Sequence, residues 1–412
     1  RNPASNQTLL TSAAALWRLG PSFQVATRVE GSIENGRVSR LLVRPAGDPT
    51  LGYAMLAALA ENVNLRGVES IDRIVIDDSY FDDQILPPAF DQQPNEASSF
   101  RAAISAFAVN RNSYIVHIAP GPQVDGPARV RVLAEDYVRI DNRTVTTAAG
   151  PPSPRIDHAV TDDGHLAVKV EGAIPVRART MYSRRRVPAP RAYAGSLLVR
   201  ALRRAGIEGA MSVQHGPVGE PEPLLGEVQS PPLSKVLYSV GKWSDNFTAE
   251  MLLKLMGAQA ETPGTSARGV SVVREVLGRK GIDTEGLVMV NGSGLFDGNQ
   301  VAPRHLTQTL VAAYRDPAIA AEYVAHLAVA GSDGTLRSRL GDLPRPRMAR
   351  AKTGTLRDVI ALSGYVLGEP GHSVAFSFLA NGIAGKQAEA RQLADEIVRA
   401  LARYAVQSDR GR

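Results

Sequence analysis

The chain has 412 residues, 44% hydrophobic and 21% charged, with 47 Lys and Arg set against 41 Asp and Glu for a net charge of +6. This is ordinary globular composition with room for two or three domains, and its apolar runs stop well short of the roughly 18 residues that mark a transmembrane helix. The near balance of charge argues against a nucleic-acid partner, and the absence of cysteine removes disulfide and thiol chemistry.

In chain order, the opening reads RNPASNQTLLTSAAALWRLGP. It starts with Arg rather than Met and no apolar signal segment precedes it, so the chain reads as processed, trimmed or a fragment. Ala- and Leu-rich residues from Leu9 to Leu19 predict a helix that Gly20-Pro21 stops. Alternation with β-branched residues from about Phe23 to Val43 predicts strands. Met55 to Leu65 predicts a helix, and DRIVIDD (Asp72 to Asp78) a strand running into a turn. From Ser79 to about Pro188 the pattern is strand-like and broken by Pro and Gly, as in SYIVHIAPGP and HLAVKVEGAIPVRA. Within it Arg184-Arg185-Arg186 is the one basic run, read as a solvated loop.

The character changes near Pro190. AYAGSLLVRALRRAG (Ala192 to Gly206) predicts a helix with Leu197, Leu198, Ala201 and Leu202 on one side. Further helices are expected at about Asp245 to Met256, Ser266 to Lys280 and Arg304 to Arg315. Two alternating strands follow around Val359 to Val366 and Ser373 to Leu379, turned by Glu369-Pro370-Gly371. A last helix puts Leu393, Ile397, Leu401 and Tyr404 on one stripe. The expectation is an α+β fold. Residues 1–28 and 190–412 form one discontinuous, helix-rich domain, and residues 29–189 a mostly β insertion of two nested subdomains.

Three short elements carry candidate chemistry: Ser5 at a helix start, Ser244-Asp245-Asn246 in KWSDNFTAEMLLK, and Lys352-Thr353-Gly354 in RAKTGTLRDVIALSGYV. Each alone has an innocent reading, since Ser-Asp-Asn caps helices and Lys-Thr-Gly suits a strand followed by a turn. Together and in this order they match the serine-acylase set S-x-x-K, S-D-N and K-T-G. A helix N-terminus favours negative charge developing at Ser5. Lys352, read as preceding the pair of strands, offers a cation and hydroxyl donors to a substrate carboxylate.

On these motifs the chain resembles the D-alanyl-D-alanine carboxypeptidases/endopeptidases of the low-molecular-mass class C penicillin-binding proteins, the penicillin-binding protein 4 type. Matching stretches run along most of it: PASNQ, TSAAAL, GDPTL (Gly47 to Leu51), VIDDSYF, AFAVNRNSYIV, GIEGAMSV, SDNFTAEMLLK, NGSGL (Asn291 to Leu295), AGSDGTL (Ala330 to Leu336) and AKTGTL. The resemblance implies a transpeptidase-like fold of helices around an antiparallel sheet, with the insertion between the first two motifs. It implies Ser5 as the acylated nucleophile, Ser244 as a proton shuttle to the leaving D-alanine, and Asn246 holding the substrate amide. Lys352 and Thr353 would grip the terminal carboxylate beside Gly354, with backbone N–H groups of Ser5 and Thr355 as the oxyanion hole. It further implies peptidoglycan stem peptides and β-lactams as partners, no nucleic acid, no metal or organic cofactor, and a periplasmic or otherwise extracytoplasmic place with peripheral envelope association.

Two departures stand against that pattern. Thr8 occupies the place of the motif lysine, and a threonine hydroxyl cannot take the serine proton as a neutral amine would. Loss of a positioned base costs about 10²–10⁴ in rate. The expectation is impaired activity, and the alternative is an inactive homologue kept as a peptidoglycan- or partner-binding module. The family also carries two strands and a helix before the nucleophile, which pair with the strand expected at Ser373 to Leu379. Their absence is read as a fragment of a longer precursor, with a true truncation as the alternative.

Other candidates read as structural. Gly292-Ser293-Gly294 lacks the first glycine of a G-x-S-x-G elbow and reads as a turn. Asp72, Asp77, Asp78, Asp82 and Asp83 lack the glycine and terminal glutamate of a calcium loop and read as solvated carboxylates at a strand end. The seven histidines form no H-E-x-x-H, and His117 and His165 fall in strand-like stretches.

Overall fold

A computed structural model describes residues 1–132, 134, 137–369 and 372–407. The chain opens with a 3₁₀ turn (Ala4–Asn6) that runs into α1 (Gln7–Leu19). Then come β1 (Ala26–Glu30), β2 (Arg37–Pro45), α2 (Tyr53–Leu65) and β3 (Ser70–Ile76). The strand-rich middle holds β4 (Ser113–Ala119), β5 (Arg129–Val132), β6 (Val138–Thr147), β7 (Arg155–Val160), β8 (Leu166–Pro175) and β9 (Met181–Arg186). It is followed by α3 (Pro190–Arg204), β10 (Ser212–His215) and β11 (Leu224–Gln229). The last part holds α4 (Leu233–Trp243), α5 (Asn246–Ala260), α6 (Ser266–Arg279), α7 (Pro303–Arg315) and α8 (Ala320–Ala325). It ends with β12 (Ala328–Val329), β13 (Ala349–Leu356), β14 (Val359–Val366), β15 (Val374–Asn381) and α9 (Gln387–Gln407).

These elements divide into two compact units. The first takes Arg1–Val25, Ser79–Pro94 and the chain from Gln229 onward. Its sheet runs β12-β13-β14-β15, antiparallel throughout. All eight residues of β14 are buried, and α9 packs on it through Ala394, Val398, Ala402 and Ala405. α1 is buried from Gln7 to Leu16 and α5 from Asn246 to Ala258. Helices buried along most of their length, polar residues included, are held by packing on every side, so these two can hold site residues rigidly.

The second unit takes Ala26–Asp78 and Asn95–Val228. Its five-stranded sheet has the order β10-β3-β2-β1-β11, beside three-stranded sheets β5-β4-β9 and β6-β8-β7. One core joins Val43, Leu56, Ile74, Val116, Val168 and Leu198. α3 packs on α2 here, although the sequence reading joins it to the helix-rich domain.

Several local expectations need correction. Arg184-Arg185-Arg186 is not a loop: it ends β9, with Ser113, Tyr114 and Ile115 of β4 opposite Arg186, Arg185 and Arg184. A ladder satisfies the backbone while the long side chains extend away from it. Asp78 is buried and meets His215 Nδ1 at 2.7 Å and Arg191 Nε at 3.1 Å, so this carboxylate is not solvated. Asp82 Oδ1 takes a bond from the buried Lys254 ammonium. Of the turn expected at Glu369-Pro370-Gly371, Pro370 and Gly371 lie outside the described residues. Among the described residues no helix is long and apolar enough to cross a membrane.

Candidate active site

Ser5 sits in the 3₁₀ turn, one residue short of α1, and is half-buried. Ala4 before it holds φ 46°, a left-handed conformation that costs a non-glycine residue about 1–3 kcal/mol. The turn is pinned from several sides. Asn2 and Asn381 exchange bonds, Asn2 N to Asn381 Oδ1 at 2.6 Å and Asn381 Nδ2 to Asn2 O at 3.0 Å. Asn6 Nδ2 donates to Lys352 O at 3.0 Å inside the protein. Gly354 then lies flat against the turn, for a Cβ there would stand 3.0 Å from Pro3 O and 3.1 Å from Ala4 Cβ.

Thr8 is buried and its hydroxyl turns back to Ser5 O at 2.8 Å. This is the i to i−3 bond by which helical threonines satisfy themselves. The position three residues after Ser5 thus supplies a hydroxyl engaged with the backbone, where the motif calls for an amine.

Lys352 is within β13, not ahead of the strand pair, with Ser363 of β14 opposite. Alternation along the strand turns it inward, and it is fully buried. Its Nζ donates to Ser244 Oγ at 2.7 Å and to Thr353 O at 2.7 Å. Burial pushes this ammonium down to about 7, because a charge away from water is costly. Ser244 closes α4 with φ 58° and ψ 44°, again left-handed. Asp245 caps α5, its side chain accepting from Thr248 N and Thr248 Oγ1, and Asn246 is the first residue of that helix, buried. Thr353 Oγ1 donates to Thr335 Oγ1 at 2.9 Å, and Thr355 lies exposed two residues along β13. Ser5, Ser244, Asn246, Lys352, Thr353, Gly354 and Thr355 therefore belong to segments that touch one another within the first unit.

Further residues that no motif announced support the cleft. Glu250, one helical turn beyond Asn246, is fully buried and accepts from the N–H groups of Gly292 and Ser293 at 3.1 and 2.7 Å. Burial raises its carboxyl. The NGSGL loop it holds presses on the Ser5 turn: a Cβ on Gly294 would fall 1.9 Å from Ala4 O. Lys242 Nζ bonds Leu327 O and Asp333 Oδ2, both at 2.8 Å, and so fixes the AGSDGTL loop that supplies Thr335. Both loops stand out in sequence, but their contacts do not.

Arranged this way, the cleft has a hydroxyl on a strained turn, a second hydroxyl bonded to a buried amine, and a strand edge bearing hydroxyls. That combination suits acyl transfer to serine. A model of the D-Ala-D-Ala carboxypeptidase 3 (S13) family matches residues 1–404. A D-alanyl-D-alanine carboxypeptidase of Actinomadura sp. (strain R39) is 36% identical, over 98% of this chain and 77% of its own length. Penicillin binding protein 4 (dacB) from Haemophilus influenzae superposes with a TM-score of 0.80 at 26% identity, covering 97% of this chain and 91% of that one. The same protein complexed with a novel β-lactam gives a TM-score of 0.75 at 25% identity, over 98% and 90%.

Proposed function

The chain belongs to the D-Ala-D-Ala carboxypeptidase 3 (S13) family, and from that premise we propose that it is a serine carboxypeptidase/endopeptidase acting on peptidoglycan stem peptides outside the cytoplasmic membrane. Ser5 Oγ attacks the carbonyl carbon of the penultimate D-alanine. The C–N bond to the last residue breaks, the serine proton ends on the departing amine, and water then hydrolyses the ester. Ser244 carries that proton, Asn246 holds the substrate amide, and Lys352 and Thr353 take the terminal carboxylate. The N–H groups of Ser5 and Thr355 bind the oxyanion. β-Lactams acylate the same serine. The observation that carries this reading is the bond from Lys352 Nζ to Ser244 Oγ on a strand that Asn6 ties to the serine turn.

Thr8 makes the reaction slow. Its hydroxyl is spent on Ser5 O, so the position beside Ser5 offers no amine to take the serine proton. That same bond favours a second reading, in which the cleft binds peptide without turning it over. Labelling with a fluorescent penicillin separates the two. We expect weak labelling of the parent, an increase of about 10²–10⁴ in Thr8→Lys, and none in Ser5→Ala. Unlabelled parent and Thr8→Lys alike would favour the binding module. Ser5→Ala labelling as strongly as the parent would remove Ser5 from the mechanism.

A further inference from the structure

The mechanism leaves one buried imidazole unused. His326 lies between α8 and β12 and is fully buried. Its Nδ1 stands 2.6 Å from Tyr323 O. A carbonyl only accepts, so Nδ1 carries the hydrogen and Nε2 keeps a lone pair. Among the described residues Nε2 has no hydrogen-bond partner. An unpaired buried acceptor works against stability, so its presence calls for a use.

The residues around it touch α1, α4 and β13. Tyr323, whose ring centre is 5.1 Å from that of His326, donates its hydroxyl to Leu9 O of α1 at 3.0 Å. A Cβ on Gly241 would fall 2.1 Å from His326 O and 2.4 Å from His326 Cδ2. Gly241 belongs to the last turn of α4, three residues before Ser244. Cδ2 is bonded to Nε2, so the ring edge with the lone pair is the one turned to that helix. Leu327 O then takes the Lys242 ammonium, and Ala328 pairs with Ala351, the neighbour of Lys352 on β13.

Burial, and then the ammonium groups of Lys352 and Lys242, hold this imidazole down to about 4. At neutral pH it is therefore an uncharged acceptor. Those two lysines are the charged groups that bear on it, and Lys242 is paired with Asp333. From its own side Glu322 O accepts from His326 N, and burial pushes the Tyr323 phenol up, so that it stays neutral. Lys352 Nζ has three donors, of which Ser244 Oγ and Thr353 O take two. We propose that His326 is a positioning residue of the acyl transfer: its ring seats the last turn of α4 so that Ser244 meets Lys352, and its Nε2 lone pair steadies the Lys352 ammonium. This rests on the reading in which that pair serves Ser5. A lone pair close to an ammonium favours the charged form, so losing it makes Lys352 give up its proton at lower pH.

The test is a magnetic resonance titration of the full chain with its lysines labelled at Cε, the Lys352 signal being the one that Lys352→Met removes. His326→Phe keeps a ring against Gly241 without a lone pair, and His326→Gln returns an acceptor without the ring. Melting curves check that each folds, and His326→Met serves if His326→Phe does not. The Lys352 midpoint should fall by about half a unit or more in His326→Phe and lie nearer the parent's in His326→Gln. Acylation by a fluorescent penicillin should slow about tenfold in His326→Phe, with its pH midpoint moving alongside that of Lys352. A Lys352 midpoint unmoved in both His326→Phe and His326→Met overturns the proposal, even where acylation slows, since looser packing alone would give that result. A midpoint that moves in a chain that never takes up penicillin supports the hold of His326 on Lys352 and counts against the acylation reading instead.

Discussion

Lys352 is the residue whose environment most constrains the chemistry. Held near 7 by burial, it is an ammonium below that pH and an amine above it. If it grips the carboxylate of a β-lactam, the second-order acylation rate falls as pH climbs past about 7, and falls less for a carboxylate-esterified β-lactam. A rate that rises through pH 7 for both would make Lys352 the base instead. The same shift has a consequence for stability. The folded protein loses this proton as pH passes about 7, whereas the unfolded chain keeps it to the ordinary lysine value of 10.5. Between those values the unfolded state binds more protons, so stability rises with pH. Denaturant titration of Lys352→Met against the parent should therefore show the variant's relative stability greatest below pH 7 and shrinking toward pH 10.5. A constant difference would contradict the shift.

At the scale of elements, position depends on loops that reach back to the start of the chain. α5 supplies Glu250, which holds the NGSGL loop, and the loop meets the Ser5 turn through Gly294. Glu250→Gln keeps one acceptor and leaves one of two buried N–H groups unpaired, a loss of about 1–3 kcal/mol. Glu250 is a positioning residue, so Glu250→Gln should label with penicillin more slowly and keep the parent's pH profile. A shifted profile would give Glu250 a direct part in proton transfer. The 3.6-residue and two-residue periods announced α1, α2, α3, α5, α6, α7 and β14 closely. α4 escaped because Val236, Val240 and Gly241 dilute its helical character. β13 escaped because Lys352-Thr353-Gly354 reads as a strand residue running into a turn ahead of the strand pair. Gly354 is there because the Ser5 turn lies where a Cβ would be.

At the scale of the whole chain, two units with separate cores are threaded by one backbone. Both tryptophans, Trp17 and Trp243, belong to the first unit. Ile74→Ala, in the core of the second, should cost that unit about 2–5 kcal/mol. Circular dichroism, which sees both, should register an earlier transition than tryptophan fluorescence. Coincident shifts by both probes would mean that the units unfold together. The sequence by itself determined the family, the α+β class and the order of the three acylase motifs, because short-range periodicity and motif spacing are written along the chain. It also determined that Thr8 stands where an amine is expected. Only the tertiary structure decided what Thr8 does instead, that Lys352 is stripped of water and bonded to Ser244, and that His326 lies against the helical turn that ends in Ser244. Burial, dielectric and contact between distant segments are properties of the packed chain, and no local stretch of residues contains them.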